Sequence, residues 1–344
     1  MREIYLITGA AGHLGGTLVK KLHDRGKQVR ALVLPGEKNI PDSAEIFYGD
    51  VRDQESLHGF FANLENRDVI VIHAAGIVTI ASKYNQNVYD VNVTGTKNVT
   101  LLCQKYKVKK LVYVSSVHAI PEKPTGQVIA EVTDFSPEKV KGLYAKTKAE
   151  ATAFVLEQAR KGLNVNVVHP SGICGPYDKG RGHLTALVSD YCQGRLTSVV
   201  KGGYDLVDVR DVAEGIISCC EKGKSGACYI LSNRFYSVRE IIRLLHEVTG
   251  KREIKHVLPN WFIDLTAPLA EVYYKIRHQP PLFTAYSLYT LRSNALFSHE
   301  KADRELGYAV SDMKQTLLDT VQWLVKSNRI RNVPALVKRQ MNRA

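Results

Sequence analysis

The sequence predicts an α/β protein in which a doubly wound parallel sheet is followed by a smaller, mixed C-terminal lobe. Short β-rich runs alternate with helical stretches through the first half of the chain, which is typical of parallel strands joined by helices on both faces of a sheet. A glycine-rich turn separates the first run from the first helical stretch. After Pro170 the regular alternation ends, and glycine-rich segments separate shorter elements. The 344 residues are enough for one large domain and a smaller lobe.

Apolar runs bounded by turn residues predict strands. In the first half they lie at residues 4–8, 28–34, 45–48, 68–73, 110–115 and 164–169, and shorter strand or edge pieces are predicted at 207–212 and 229–232. Helical spacing of apolar residues predicts a helix from about residue 14 that ends at Gly26, and further helices over about 83–106 and 142–161.

Composition excludes several classes of protein. The net charge is +13, but about half of the excess lies in residues 326–344, and the remaining charge is dispersed and forms no nucleic-acid motif. We therefore expect no nucleic-acid partner and interpret the basic residues as a solubilising tail, or one attracted to an anionic surface such as a membrane. No apolar run is long enough for a membrane span, and the chain begins directly with a strand-like run, so we expect a cytoplasmic protein. Six cysteines without a C-x-x-C pair are expected to be reduced, and no metal site is predicted.

The glycine-rich turn predicts a nucleotide site. Gly9, Gly12 and Gly15 stand at the first strand-to-helix junction, where glycines let the backbone approach a pyrophosphate and the helix N-terminus offers free N–H groups. An acid at the end of the second strand would bind a ribose 2′-hydroxyl, but residues 32–36 supply none. Lys38 lies close enough in sequence to assist a 2′-phosphate, so we expect NADP or NAD, with a slight preference for NADP.

Tyr144 and Lys148 are spaced four residues apart on the predicted helix 142–161, so their side chains share one face. A nearby ammonium favours the phenolate and lowers the pKa of a tyrosine, which lets the phenol exchange a proton with an alcohol or carbonyl oxygen. The spacing alone is also compatible with an ordinary surface pair.

The order of these motifs along the chain is informative. The glycine turn is followed by Asp50-Val51 after the third strand, the segment 73–76 after the fourth, Ser115-Ser116 after the fifth, and finally Tyr144 and Lys148. This order resembles the extended short-chain dehydrogenase/reductase family, which belongs to the NAD-dependent epimerase/dehydratase superfamily. The resemblance covers nearly the whole chain and is nearest to the dihydroflavonol-reductase-like and 3β-hydroxysteroid-dehydrogenase-like branches.

The resemblance implies a Rossmann sheet and a role for each matching residue. Tyr144 would be the general acid–base, Lys148 would lower its pKa and hold the nicotinamide ribose, and Ser116 would bind the reacting oxygen, with Ser115 as the neighbouring alternative. Asn92 matches the helix asparagine of the family, although it could instead bridge buried backbone groups. The residues implied to contact the cofactor are Gly9, Gly12, His13, Leu14, Gly15, Asp50, Val51, Ala74, Ala75, Gly76, Ser115, Tyr144, Lys148, Pro170 and Ile173.

The division of the chain follows from these motifs. The predicted parts are a nucleotide-binding domain at 1–172 with returns near 204–232 and 300–325, a substrate lobe at about 173–203 and 233–299, and a basic tail at 326–344. A homodimer is expected by resemblance, through the helices that carry Asn92 and Tyr144.

The substrate prediction rests on the second half. Tyr204 stands where nucleotide-sugar epimerases and dehydratases commonly carry a diphosphate-binding arginine. Residues 259–297 are rich in aromatic side chains that would suit a flat, apolar ligand, or only pack the lobe: Trp261, Phe262, Tyr273, Tyr274, Phe283, Tyr286, Tyr289 and Phe297. We therefore expect hydride transfer to or from a steroid- or flavonoid-like alcohol or ketone.

Two other functions stay open. A nucleotide-sugar epimerase or dehydratase would need a phosphate clamp, which Lys179, Arg181 and Arg195 could assemble in space. A non-catalytic NAD(P)-sensing regulator would typically lack the tyrosine or the lysine. Among the histidines, which are expected to be packed residues, His118 is the one that could face a substrate because it follows Ser116 by two residues.

Overall fold

The computed structural model describes residues 3–80, 83–180, 182–259, 285–330 and 336–338. Its centre is a seven-stranded parallel sheet, which confirms the predicted doubly wound α/β fold. The strands are β1 (Glu3–Thr8), β2 (Gln28–Val33), β3 (Glu45–Tyr48), β4 (Asp68–His73), β5 (Lys110–Val114), β6 (Val165–Pro170) and β10 (Cys228–Leu231). Their order is β10-β6-β5-β4-β1-β2-β3, so the direction of winding reverses between β1 and β4. In such sheets the ligand binds where the order reverses, outside the carboxyl ends of the strands.

The lobe contains two small sheets. The first is mixed, because β9 (Gly203–Asp208) runs parallel to β7 (Gly172–Cys174) and antiparallel to β11 (Arg234–Ser237). The second joins β8 (Val199–Val200) to β12 (Val257–Leu258). The predicted strand at 207–212 is therefore wrong beyond residue 208.

The chain turns into a helix at Asp208 because that side chain is a good N-cap. Its carboxylate accepts a hydrogen bond from the backbone N–H of Arg210 at 2.7 Å. The apolar residues that follow are buried at helical rather than alternating spacing, at Val209, Val212, Ala213 and Ile216.

The helices cover both faces of the main sheet and build the lobe. They are α1 (His13–Asp24), α2 (His58–Phe61), α3 (Gln86–Tyr89), α4 (Gly95–Lys105), α5 (Leu143–Arg160), α6 (His183–Cys192), α7 (Val209–Lys222), α8 (Val238–Thr249), α9 (Ala285–Arg292), α10 (Glu300–Leu306) and α11 (Met313–Lys326). Helices α4 and α5 pack on one face of the sheet, and α1, α7 and α10 on the other. No helix in the described ranges is long and apolar enough to cross a membrane.

The predicted helix over 83–106 is divided in the structure. It begins at Gln86, where Asn85 caps the first turn, and a π turn at Asp90–Thr94 separates α3 from α4. Periodicity predicted the helix but not this change of pitch, which inserts an extra residue into one turn.

The C-terminal part of the chain departs from the predicted division. Helix α10 packs against α7 and β10, next to the main sheet, whereas α11 packs against α6 and α8 in the lobe core. Residues 300–325, which were expected to return to the nucleotide-binding domain, are therefore divided between the main sheet and the lobe. Ile330 and Val337 are also buried in the lobe core. Two apolar side chains of the predicted tail therefore pack in the lobe, whereas most of its other described residues are exposed. The boundaries of the domains stay a prediction.

Candidate active site

The glycine turn lies at the carboxyl end of β1, at the point where the strand order reverses. Gly9 has a φ of +68°, and a Cβ atom there would lie 2.7 Å from the backbone nitrogen of Ala75. A Cβ atom at Gly15 would lie 2.1 Å from the carbonyl oxygen of Gly9. The backbone of the glycine turn therefore packs directly against two other stretches of backbone. One is the first turn of α1, and the other is the segment that follows β4.

The N-terminus of α1 suits an anionic ligand. Gly12 is the N-cap residue and supplies no side-chain cap, so the first N–H groups of the helix remain available to a phosphate. The Nε2 atom of His13 donates to the carbonyl of Pro176 at 2.8 Å, which ties the segment after β7 to this helix end. Burial lowers the pKa of His13, although nearby Asp178 opposes the shift. These features would suit the pyrophosphate of a dinucleotide, and the contacts of Gly12, His13 and Gly15 with it stay a prediction.

A chain of hydrogen bonds holds the floor of the cleft. The hydroxyl of Thr8 accepts from the backbone N–H of Ala75 at 3.2 Å and donates to Nδ1 of His73 at 2.7 Å. On its other side His73 donates from Nε2 to the hydroxyl of Thr96 at 3.0 Å, and Thr96 donates to the carbonyl of Asn92 at 2.7 Å. Burial lowers the pKa of His73 to about 3, so this histidine is a neutral structural connector between β1, β4 and the π turn.

The expected adenine side is formed by Asp50 and Val51, directly after β3. The guanidinium of Arg52 hydrogen-bonds the Asp50 carboxylate and holds its pKa below the usual range. Val51 is buried, and Asn98 donates to its carbonyl at 2.9 Å. The loop is thus fixed at the carboxyl edge of the sheet, next to the end of β2, while its contact with adenine stays a prediction.

Only one of the two adjacent serines reaches Tyr144. The Ser115 hydroxyl lies 2.7 Å from the Thr152 hydroxyl on α5 and is buried. The Ser116 hydroxyl lies near enough to the Tyr144 phenol to lower its pKa, and it accepts from the backbone N–H of His118 at 3.2 Å. The geometry therefore favours Ser116 over Ser115 as the group beside the reacting oxygen.

Tyr144 and Lys148 lie one turn apart on α5, and both are buried. The Lys148 ammonium donates to the carbonyl of Val114 at 2.8 Å and lies 3.3 Å from where a Cβ atom of Gly76 would stand. Gly76 is exposed, so the ammonium lies just beneath an accessible stretch of backbone. Burial lowers the pKa of Lys148 to about 7.

The electrostatics correct one expectation. Burial raises the pKa of Tyr144 to about 12, and the opposing influence is the hydrogen bond with Ser116 rather than the Lys148 charge. Lys148 does not lower the tyrosine pKa here, because the same burial that surrounds the phenol also disfavours the charged ammonium.

Asn92 lies in the π turn and is fully buried. Its Oδ1 accepts from the backbone N–H of Ile77 at 2.8 Å, and its Nδ2 donates to the Ile77 carbonyl and to the Thr147 hydroxyl. Asn92 thus bridges buried backbone groups, which was the alternative interpretation. Its partners are Ile77, which follows Gly76, and Thr147, which precedes Lys148 on α5. Its catalytic assignment stays a prediction.

Pro170 and Ile173, expected on the nicotinamide side, flank the crossing from the main sheet to the lobe. Pro170 ends β6 and Ile173 is in β7, paired with Val207. The neighbouring Cys174 is buried, which raises the pKa of its thiol well above the ordinary value. Within the described ranges no group of histidine, cysteine, aspartate and glutamate side chains could hold a metal ion.

Comparison with known proteins identifies the family. The sequence profile of the NAD dependent epimerase/dehydratase family matches residues 5–232. The chain belongs to this family. It is an NAD(P)-dependent dehydrogenase/reductase of the extended short-chain type.

Curated relatives of this family member cover nearly the whole chain. Sterol demethylase protein B of Methylococcus capsulatus is 30% identical over 329 residues, which span 92% of this chain and 97% of the relative. The 3 beta-hydroxysteroid dehydrogenase/Delta 5-->4-isomerase of Mycobacterium tuberculosis is 26% identical over 88% of this chain and 85% of its own length. These similarities place the chain in the branch that the motifs indicated.

Solved structures agree with the fold. The crystal structure of gox2253 superposes with a TM-score of 0.82 at 28% identity and covers 96% of this chain and 100% of that one. UDP-Glucose 4-Epimerase of Thermotoga maritima has a TM-score of 0.74 at 21% identity, with 94% of this chain and 99% of that chain covered, and so shows a shared fold alone.

A tyrosine from the lobe packs against the start of α5. The ring of Tyr286, on α9, lies against the backbone of Gly142, where an added Cβ atom would come within 2.1 Å of the ring. Gly142 is the N-cap of α5 with a φ of +92°, two residues before Tyr144. Tyr204 has a hydrogen-bond interaction with Thr290, also on α9. Aromatic richness predicted an apolar lobe, but nothing in the sequence indicated that Tyr286 would lie beside the catalytic helix.

Part of the expected aromatic lining lies outside the described residues, namely Trp261, Phe262, Tyr273, Tyr274 and Phe283. Tyr289 is described and donates to the Glu122 carboxylate at 2.6 Å, which ties α9 to the loop after β5.

A glycine substitution tests the nucleotide turn. We expect Gly15→Ala to weaken NADPH binding at least tenfold, because its Cβ would displace the Gly9 carbonyl from the turn. Gly16→Ala is the matched control, since its Cβ would make an ordinary 3.5 Å contact with the carbonyl of Ala10. Calorimetric titration of both variants with NADPH measures the difference. Equal affinity in the two variants would contradict the assignment of the turn.

The burial of Lys148 predicts a pH dependence of stability. An unfolded lysine titrates near ~10.4, whereas folded Lys148 titrates at about 7, so the unfolded state binds more protons between these values and stability rises with pH. The free energy of unfolding of the wild type relative to Lys148→Met should therefore rise by about 2 kcal/mol from pH 7 to pH 9. Urea unfolding at pH 7, 8 and 9 measures it. The exposed Lys146 of the same helix provides the control Lys146→Met, and a flat difference for Lys148 would refute the shift.

Proposed function

We propose that the chain is an NAD(P)-dependent oxidoreductase that transfers a hydride between nicotinamide and a secondary alcohol or ketone of a hydrophobic, steroid- or flavonoid-like ring substrate. The observation that carries the proposal is the convergence of Ser116, Tyr144 and Lys148, with the ring of Tyr286 packed at the start of the helix that carries Tyr144 and Lys148. The nicotinamide, when bound, supplies or accepts the hydride.

The state of Tyr144 favours ketone reduction. With a pKa of about 12 the phenol is protonated at neutral pH, so it can donate a hydrogen bond and then its proton to a carbonyl oxygen. Ser116 offers a second hydroxyl at the same place and stabilises the negative charge that develops on that oxygen. Lys148, held by the Val114 carbonyl beneath Gly76, is placed to hydrogen-bond a ligand hydroxyl that lies on the exposed backbone.

The absence of an acid at the end of β2 supports NADP over NAD as the cofactor. Leu34 follows this strand and is 51% exposed, and Lys38 lies four residues further on. An apolar side chain at this position offers nothing to a ribose 2′-hydroxyl, while a lysine can approach a 2′-phosphate.

A neutral substrate is supported by the charges around the lobe. Arg195, one member of the phosphate clamp considered from the sequence, binds Asp190 and Gln193. Arg210 is paired with Asp208 and Asp319. Both guanidinium groups already have partners, whereas a diphosphate would need them free. Arg181, another member of that clamp, lies outside the described residues. Two of the relatives carry sterol or steroid names, which agrees with an apolar ring substrate.

A nucleotide-sugar epimerase or dehydratase is the alternative. It predicts tight binding of a uridine or thymidine diphosphate, and calorimetry with UDP and dTDP decides it. A non-catalytic NAD(P)-sensing regulator is disfavoured because Tyr144 and Lys148 are both present and both lie at the cleft.

A turnover screen tests the proposed class. Oxidation of NADPH and NADH is followed with steroid ketones, flavonoid ketones and simple aldehydes. We expect turnover with the ring ketones and at least tenfold higher kcat/KM with NADPH than with NADH. Turnover confined to simple aldehydes would remove the ring-substrate assignment, and a preference for NADH would remove the cofactor assignment.

Substitution of the phenol tests the mechanism. Tyr144→Phe should lower kcat by at least a hundredfold, in the range for loss of a general acid, while the Kd of NADPH changes less than threefold. Tyr191→Phe is the control, because this buried phenol contacts the carbonyls of Lys251 and Arg252 in the lobe. Near wild-type turnover of Tyr144→Phe would rule the mechanism out.

A homodimer through the outer faces of α4 and α5 is part of the proposal. Leu101 on α4 is 42% exposed, and it is the apolar side chain of these two helices that a partner subunit would cover. Sedimentation equilibrium of the wild type and of Leu101→Asp measures the mass, and a monomeric wild type would refute the dimer.

A further inference from the structure

His118 is a polar group at the cleft without a role in the mechanism above. It lies in the 3₁₀ turn Val117–Ala119 that follows Ser116, and its ring centroid is 6.2 Å from that of Tyr144, at an interplanar angle of 71°. The His118 side chain is partly accessible to solvent, although protein atoms surround it densely. Such partial access is expected of a side chain that lines a cleft, whereas a core side chain has none.

The hydrogen bonding of His118 differs from that of the other histidines near the cleft. His73 uses both ring nitrogens, His13 donates to a backbone carbonyl, and His169 bonds the carbonyl of Ser116 through Nδ1. Neither ring nitrogen of His118 has a hydrogen-bond partner in the described part of the chain, and its contact with Tyr144 is ring to ring. Groups as enclosed as this one normally have partners.

The backbone of His118 fixes the position of the ring. Its N–H donates to the Ser116 hydroxyl at 3.2 Å, so the imidazole and the serine that faces the reacting oxygen belong to one rigid turn. Burial lowers the pKa of His118 to about 4. At neutral pH the ring is therefore uncharged and offers one N–H donor and one nitrogen acceptor, a combination that matches a hydroxyl or carbonyl oxygen.

We propose that His118 hydrogen-bonds a second oxygen of the substrate, carried on a carbon next to the one that reacts, and so makes the enzyme selective for ring compounds with two neighbouring oxygens. The inference rests on the proposed function, because Ser116 and Tyr144 must hold the first oxygen. It assigns His118 to specificity rather than to proton transfer.

Two flat aromatic probes distinguish one oxygen from two. 2-Naphthol has a single hydroxyl, and 2,3-dihydroxynaphthalene has two on adjacent carbons; neither gives up a hydride, so both can be titrated calorimetrically in the presence of NADP⁺. The wild type should bind the dihydroxy probe at least fivefold more tightly, as one additional hydrogen bond predicts. His118→Phe keeps a planar ring without the nitrogens and should lose this preference. His118→Asn keeps one donor and one acceptor and should retain part of it.

The outcomes separate selectivity from packing. A wild type without preference, a preference retained in His118→Phe, or failure of both probes to bind the wild type would overturn the assignment. An equal loss of affinity for both probes in His118→Phe would also overturn it, because it would show a packing role. Turnover in the ketone screen without a dihydroxy preference removes only the His118 assignment, whereas the preference without turnover removes only the proposed reaction.

Discussion

Burial of the Lys148 ammonium against the carbonyl of Val114 is the interaction on which the cleft depends. It joins the middle of α5 to the end of β5, and so sets the height of Tyr144 above the edge of the sheet. An ammonium removed from water is costly unless it is hydrogen-bonded, and its pKa falls to about 7 as a consequence. The cost of keeping this group in the interior falls at a place next to the exposed backbone of Gly76.

The rest of the cleft is rigid for a related reason. Thr8, His73 and Thr96 form a continuous hydrogen-bonded chain from the glycine turn to the π turn, and Asn92 continues it to the backbone of Ile77. Because every donor in this chain meets an acceptor, the three chain segments at the reversal of the sheet are held in one arrangement. Preorganisation of this kind lets polar groups act on a reacting oxygen without first having to move.

Part of the lobe lies against the start of α5. Tyr286 touches the chain at Gly142, where only a residue without a side chain leaves room for the ring, and the N-terminus of α5 starts there. Tyr289 and Glu122 attach the same helix to the loop beyond β5. Tyr286 adds a bulky, uncharged phenol at this place, and the guanidinium groups of Arg195 and Arg210 are paired with carboxylates. This distribution of charge supports the proposed apolar ring substrate over a sugar diphosphate.

The sequence by itself determined the parallel sheet, the place of the glycine turn, and Tyr144 and Lys148 as neighbours on one helix face, because each depends on local periodicity or on residues close in the chain. It did not reveal the N-cap at Asp208 that converts a predicted strand into α7, although an aspartate before an apolar run was a visible signal. Tertiary structure alone decided between Ser115 and Ser116, since the choice depends on which hydroxyl meets Thr152 across the interior. It also decided that burial, not the lysine charge, governs the pKa of Tyr144, and that Tyr286 from a distant segment packs at the start of α5. These last features arise from residues far apart in sequence, whose distances and desolvation exist only once the chain has packed.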